Sequence, residues 1–242
     1  ALLGVRTVIL EPNAKPGFTN RVLRPLVTRV ACAYEEARRE FGGKGVITGN
    51  PVRAGFAPRP PRRHAPPFTV LAFGGSQGSA VLNRALLAAL PHLPGPERLR
   101  LVHQTGEAMR EEVLSGYRAA GRKDEVLAFV DDMERRLQDA DLVLSRSGAT
   151  TCAELLAAGK AALLVPFARA AGDHQRANAR ALQAAGAAVV MEEGELSGEA
   201  LARALSGLLE SPGAIETMEE AARRRGRPDA AARVADLLDG LA

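Results

Sequence analysis

No tryptophan occurs in these 242 residues, and aromatic side chains make up only 4% of them. Readers of single-stranded nucleic acid stack bases on aromatic platforms, so this scarcity, without a concentrated basic stripe, argues against nucleic acid as a partner. The two cysteines, Cys32 and Cys152, lie far apart without zinc-ligand spacing, and each sits beside alanine. They read as buried thiols of a reducing compartment rather than a disulfide framework. His64, His92, His103 and His174 are scattered, and no aspartate cluster accompanies them, so no metal is expected. No apolar run approaches the length of a membrane span, and no secretory signal pattern is visible.

Alanine and leucine supply much of the 46% hydrophobic content, which favours helices packed on a sheet. The length accommodates one large or two modest α/β domains. The net charge of +4 is mildly basic and owes much to arginines in 59–63 and 223–227. A weak attraction to an anionic lipid surface fits that balance.

The chain begins without methionine. Residues 1–4 read as the end of a helix and 5–10 as a strand, as expected of a chain that opens part-way through a β-α unit. A helix is expected near 19–30 and a short strand near 46–48. Residues 54–67 hold five prolines and little apolar content, which predicts an extended, stiff linker. Beyond it, apolar runs at 69–73, 98–102, 126–129, 142–144, 161–165 and 187–191 alternate with helical stretches at 79–90, 107–118, 133–139, 150–158, 173–185 and 197–209. Short continuous apolar strands between helices predict a doubly wound parallel sheet. Two further helices, 212–225 and 228–238, have no strand between them and are expected to pack across the outside, back towards the first domain. The domains are thus 1–53, a linker 54–67, and 68–242.

The densest signal is D-L-V-L-S-R-S-G-A-T-T-C-A-E-L-L-A-A-G, residues 141–159. A buried strand runs through a Ser-Gly turn into a helix closed by Gly159, and free N–H groups at such a helix start favour phosphate. Glu154 shares a face with Thr150, four residues earlier, and a carboxylate there suits sugar hydroxyls rather than phosphate. A cap and a surface glutamate would leave the same trace. G-G-S-Q-G-S, 74–79, is a second glycine-rich strand-to-helix turn, yet neither the dinucleotide fingerprint nor a nucleoside triphosphatase loop. In P-F-A-R-A-A-G-D-H-Q-R-A-N-A, 166–179, Asp173 is a candidate N-cap. His174, Gln175 and Asn178 follow on the helix; their amides suit hydroxyls, or form its wet face. H-Q-T-G, 103–106, and F-V-D-D-M, 129–133, also follow strands. Asp131 or Asp132 would cap the next helix, and Val130 and Met133 would form an apolar slot for a planar base or ordinary core. All these turns follow parallel strands and converge at the carboxyl edge of the sheet.

Together with N-A-K-P-G-F-T-N-R and G-N-P-V-R, these ordered motifs resemble the MurG family of peptidoglycan glycosyltransferases over nearly the whole chain. The resemblance implies a GT-B fold of two Rossmann-like domains and an inverting transfer of N-acetylglucosamine. The donor would be UDP-N-acetylglucosamine and the acceptor the undecaprenyl-linked lipid I, giving lipid II at the cytoplasmic face of the bacterial inner membrane. It implies no cofactor and no metal. By resemblance, Ser76 and Gln77 meet the diphosphate, Val130 and Met133 border the uracil, and Ser147, Gly148, Ala149 and Thr150 hold phosphate. Glu154 takes the ribose, Gln175 and Asn178 line the sugar, His174 is a further donor-binding residue, and Arg53 lies beside the phosphates. Glu11, Asn13 and Asn20 fall in the acceptor turn, with Glu11 and Arg53 as catalytic candidates. That turn departs from the family's His-Glu-Gln-Asn, carrying Leu10, Glu11, Pro12 and Asn13, and the family's N-terminal glycine-rich loop has no counterpart in these residues. Other readings are another UDP-sugar enzyme of this architecture, such as a different glycosyltransferase or a UDP-N-acetylglucosamine 2-epimerase, or a UDP-sugar-binding body without turnover.

Overall fold

The computed structural model describes residues 5–168 and 171–241; the expectation for residues 1–4 lies outside them. A small parallel sheet comes first, in the order β1 (Val8–Glu11), β2 (Arg29–Cys32), β3 (Gly45–Ile47). α1 (Phe18–Leu23) and α2 (Glu35–Phe41) connect its strands. Val30, Cys32, Ala37 and Phe41 make its core with Val27.

Here the structure corrects the helix expected over 19–30. α1 ends at Leu23, and Pro25, which has no N–H to continue a helix, follows in the turn. Lys44 Nζ then closes the turn by donating to the carbonyls of Arg24, Pro25 and Val27. Beyond it lies β2, which the sequence reading merged into the helix. Helix α2 was equally hidden: E-E-A-R-R-E-F is dense in charge, yet Ala37 and Phe41, four apart, form one buried stripe.

The large sheet holds six parallel strands: β4 (Phe68–Phe73), β5 (Leu99–Gln104), β6 (Glu125–Leu127), β7 (Leu142–Ser145), β8 (Ala162–Leu164) and β9 (Ala188–Val190). Their spatial order is β6-β5-β4-β7-β8-β9. The helices are α3 (Ala80–Ala89), α4 (Arg110–Ala119), α5 (Met133–Asp139), α6 (Ala149–Ala158), α7 (His174–Ala184), α8 (Gly198–Leu209), α9 (Pro212–Arg225) and α10 (Ala230–Asp239). Alternate strand residues serve opposite faces. Val70, Leu99, Leu101, Leu142, Leu144 and Leu163 pack with side chains of α3, α4, α8 and α9. Leu71, Phe73, Val143 and Leu164 pack with those of α5, α6 and α7. Both faces are covered, which is why the strands read as unbroken apolar runs. β6 starts one residue and ends two residues earlier than the sequence suggests, and Phe129 is left 57% exposed.

The prolines of the connector 54–67 leave it without regular helix or strand, as their density predicts. It is also anchored along its length. Phe56 is 2% exposed in the α5–α6 side of the core, Arg59 reaches Asp139 at 3.2 Å, and His64 is buried. At the chain's other end, the α9–α10 junction meets the small body: a Cβ on Gly49 would lie 2.6 Å from Cβ of Arg227.

Candidate functional site

The strand order reverses between β4 and β7, since β4 leads outward to β5 and β6 while β7 leads to β8 and β9. Doubly wound sheets bind ligands in the crevice outside the strand ends at such a switch point. A cleft of about 350 Å³ opens there, lined by Arg53, Phe73, Gly75, Ser76, Gln104, Phe129, Val130, Met133, Thr150, Thr151 and Glu154.

Two turns shape it. In residues 74–79, Gly75 and Gly78 have φ of +95° and +73°. A Cβ on Gly78 would meet the Thr105 carbonyl oxygen at 1.9 Å, and one on Gly106 the Gln77 carbonyl oxygen at 2.2 Å. Backbone packs on backbone between the two loops, and only glycine fits. Ser76 and Gln77 are thereby held out at the exposed rim. Ser79 ends the turn and caps α3, its Oγ accepting from Leu82 N.

The second turn, Arg146 to Gly148, enters α6. Gly148 holds the N-cap position with no side-chain cap, so the first N–H groups of α6 remain open toward Thr150 and Thr151 on the cleft wall. One turn on, Glu154 is half-buried and no described donor reaches its carboxylate. Burial raises its pKa, against a smaller lowering by the nearby Arg53 guanidinium. The exposed Arg53 lies 3.3 Å from Glu134 and over the Phe56 ring. Gly159, at φ +67°, closes α6 in the left-handed conformation expected.

Phe73, Phe129, Val130 and Met133 are the apolar residues of the cleft lining. Asp132 occupies the N-cap of α5 without capping it, its carboxylate being taken by Arg135 and Arg136. Asp173, at the α7 N-cap with φ +62°, likewise makes no cap bond and accepts from Arg176.

Several side chains expected to touch ligand are committed within the protein. Ser147 is fully buried, its hydroxyl donating to the Gln175 carbonyl at 2.8 Å, so only its backbone is left to meet phosphate. Asn178 is fully buried too. Its Oδ1 accepts from Ala14 N at 2.8 Å, and its Nδ2 donates to Asn13 Oδ1 and to the Ser147 carbonyl. This corrects the expectation that it faces a sugar; it stitches the first body's turn to the α6 turn. His174 Nδ1 lies 3.0 Å from the Lys15 carbonyl, beside that stitch. Gln175 accepts from Phe167 N through Oε1.

Glu11 is corrected more sharply. It is fully buried, and its carboxylate accepts from Asn13 N, Asn13 Nδ2, Gly17 N and Asn20 Nδ2 at 2.8–3.2 Å. A carboxylate so enclosed cannot reach an acceptor hydroxyl, so it is a brace for the turn and not a general base. Asn20 is bound up in the same brace, also donating to the Leu10 carbonyl.

Two buried hubs escaped the sequence reading. Arg146 donates from Nε to Ser79 Oγ and from Nη1 to the carbonyls of Val165 and Pro166, and pairs with Glu193 at 2.6 Å. It thus ties both turns to the end of β8. Asn83 donates to the Thr105 carbonyl, so its Oδ1 accepts from His103 Nε2, and the Tyr117 hydroxyl donates to His103 Nδ1. Burial lowers the His103 pKa to about 4, keeping the ring neutral. The partners of Arg146 come from three separate loops and those of His103 from two helices, so neither set could be read from the sequence around the residue.

The sequence model of the Glycosyltransferase family 28 C-terminal domain matches residues 69–234. The UDP-N-acetylglucosamine–N-acetylmuramyl-(pentapeptide) pyrophosphoryl-undecaprenol N-acetylglucosamine transferase of Anaeromyxobacter sp. (strain Fw109-5) is 46% identical, over 98% of this chain and 63% of that protein. The protein of the same description from Myxococcus xanthus (strain DK1622) is 45% identical, over 98% and 63%. The chain therefore spans less than two thirds of the length of these relatives. The crystal structure of Acinetobacter baumannii MurG superposes with a TM-score of 0.84 at 33% identity, covering 99% of this chain and 69% of that one. With the switch-point cleft, the two turns and the ordered motifs, these matches make the chain a member of the MurG family, its residues 69–234 forming a Glycosyltransferase family 28 C-terminal domain.

Proposed function

We propose that this chain supplies the donor-binding body, and part of the acceptor-binding body, of an inverting glycosyltransferase that moves N-acetylglucosamine from UDP-N-acetylglucosamine to the muramic acid 4-hydroxyl of lipid I, forming lipid II. The observation that carries this reading is Glu154: a half-buried carboxylate that no described donor reaches, one turn inside a helix whose N-terminus is open to the same cleft. Phosphate belongs at that N-terminus, where N–H groups and the helix dipole favour negative charge. A diol belongs at Glu154, which can accept two hydroxyl hydrogens. A planar base belongs at the apolar end formed by Phe73, Val130 and Met133. Phosphate, diol and base in that order describe a nucleoside diphosphate.

The acceptor hydroxyl attacks the anomeric carbon, UDP departs, and the configuration inverts. Charge builds on the departing diphosphate, where the α6 N-terminus, the turn at Ser76 and Gln77, and Arg53 stabilise it without moving far. Gln175, beside the Ser147 turn, is placed to meet the sugar through its remaining amide N–H. The acceptor works from the side of the small body, where Asn13 stands at the stitch. The exposed Phe18, Val22 and Leu26, spaced four apart on α1 and just beyond it among Arg21 and Arg24, support attachment to an anionic membrane surface. No helix among the described residues is long and apolar enough to cross a membrane, and the reading places the protein peripherally at the cytoplasmic face.

Titration calorimetry with UDP-N-acetylglucosamine, followed by product chromatography with a lipid I analogue, tests the proposal. Saturable binding that UDP competes away, and disaccharide formed only with acceptor, are the expected results. A chain that binds neither UDP nor the UDP-sugar overturns it.

A further inference from the structure

A second hollow, of about 200 Å³, lies between the two bodies behind α6. It shares no lining residue with the switch-point cleft. Leu156 faces it from α6 and Ala153 faces its shallow continuation, both on the side of the helix turned away from Thr150, Thr151 and Glu154. Its apolar wall is Ile47 of β3, Leu156, and Ala181, Leu182 and Ala185 at the end of α7. Charged side chains border the rest. Glu35 and Glu36 come from the small body at the start of α2, and Arg225 and Arg227 from the end of α9 and the turn after it. Tyr34, packed into the core beside Cys152 of α6, fixes the turn that carries the two glutamates.

Most charges in this neighbourhood are matched. Glu35 is taken by Arg38 and Arg39, and Arg223 and Arg224 are taken by Glu219 and Glu220. Arg227 donates to the carbonyls of Arg224 and Gly226. Glu36 on one body, and Arg225 and Arg227 on the other, have no ion-pair partner among the described residues, although they border one hollow. A solvated charge on a rim means little alone. Unmatched charges of both signs beside one apolar wall are a complementary set.

We propose that this hollow binds a small zwitterion with an apolar body, an α-amino acid the size of leucine. The guanidinium of Arg225, with that of Arg227, takes the carboxylate. Glu36 takes the ammonium, and the aliphatic side chain lies against Leu156, Leu182 and Ile47. The volume falls below the roughly 300–1,000 Å³ of sites for drug-sized ligands, which suits a single small molecule. Such an occupant touches both bodies at once, so it binds the folded chain alone and stabilises it. The site is independent of the nucleotide reading, since none of its residues belongs to the cleft.

The test is calorimetric titration of the chain with leucine, leucinamide, N-acetyl-leucine and glycine, which lack in turn nothing, the carboxylate, the ammonium and the apolar body. Leucine is expected to bind saturably at about millimolar concentration or below, and at least about tenfold more tightly than each of the others. At about ten times its dissociation constant it should raise the melting temperature by about 2–4 °C. Arg225→Gln should weaken leucine at least about threefold and leave leucinamide unchanged, whereas Glu36→Gln should weaken leucine similarly and leave N-acetyl-leucine unchanged. Both residues are exposed, so neither substitution threatens the fold, and the ligand series on wild type stands without them. Wild-type chain that binds no leucine at about 10 mM overturns the proposal. So does leucine binding that N-acetyl-leucine or leucinamide matches, or that neither variant weakens.

Discussion

Two carboxylates, Glu154 and Glu11, stand in opposite environments, and the difference assigns their work. Glu154 is half-buried with no described donor, and burial raises its pKa, so its ionised form is held in the apo protein at a cost. Glu154→Gln removes that cost while leaving the shape, and with it the two-hydroxyl acceptor. UDP affinity should fall by about tenfold or more, the worth of a charged hydrogen bond. The melting temperature should hold or rise slightly; a clear fall in melting with unchanged UDP affinity would make Glu154 structural. Glu11 has four donors on its two oxygens. Glu11→Gln turns an N–H₂ against groups that also donate, and should destabilise the fold by about 1–3 kcal/mol in denaturant titration. Unaltered stability would release Glu11 from the brace and reopen a catalytic role. The position of Glu154 was legible because helix spacing alone fixes it one turn beyond the start of α6. The sequence could not make Glu11 legible, since four donors arriving from Asn13, Gly17 and Asn20, in a loop and the helix after it, are a fact of folding.

Elements whose logic is local were readable, and those whose logic is long-range were not. The strand-turn-helix units of the large sheet each carry their own evidence: a short apolar run, a glycine turn, and an alanine-rich amphipathic helix. β2 and α2 carry little. The apolar residues of β2 continue from those of α1, and only Pro25 separates them. The turns at 74–79 and 103–106 looked like independent loops, yet each is shaped by the other. Gly78 stands at φ +73° with the Thr105 carbonyl where its Cβ would be. Gly78→Ala should therefore cost more than the ∼1 kcal/mol that a left-handed conformation alone costs a side chain. It should also push Ser76 and Gln77 off the cleft rim and weaken UDP binding. Thermal melting and calorimetry on Gly75→Ala serve as comparison, since a Cβ at Gly75, φ +95°, meets nothing within 4 Å. Equal losses from the two substitutions would mean that loop-to-loop contact contributes nothing beyond backbone strain.

At the scale of the molecule, the two sheets are joined at the cleft and again at the base of the large sheet. At the cleft, Asn178 holds the turn of the small body against the α6 turn. At the base, the connector is fastened through His64, whose Nδ1 lies 2.7 Å from Asp141 and whose Nε2 lies 3.3 Å from Glu219. Arg62 joins Asp141, while Lys160 and Arg223 join Glu219, so an extended proline-rich segment becomes part of a buried charge cluster. Hydrogen bonds from the imidazolium to Asp141 and then Glu219, opposed by burial, raise the His64 pKa from 6.5 to about 9. The folded state therefore holds a proton that the unfolded chain releases. The stability this provides is fully present below about pH 6.5 and is lost as pH rises through about 9. Lys160, lowered chiefly by burial, acts in the opposite sense at the alkaline end, so the difference between wild type and His64→Gln isolates the histidine. Urea midpoints at pH 6.5, 8 and 9.5 are expected to fall steadily in wild type and to change much less in His64→Gln. Cleavage by a protease in the connector 54–67 should rise with pH in wild type over the same interval, because the strap is what the proton holds down. Parallel pH slopes in the two proteins would show that His64 enters and leaves the fold without its extra proton, and that the strap is held by its arginines and by Phe56 alone.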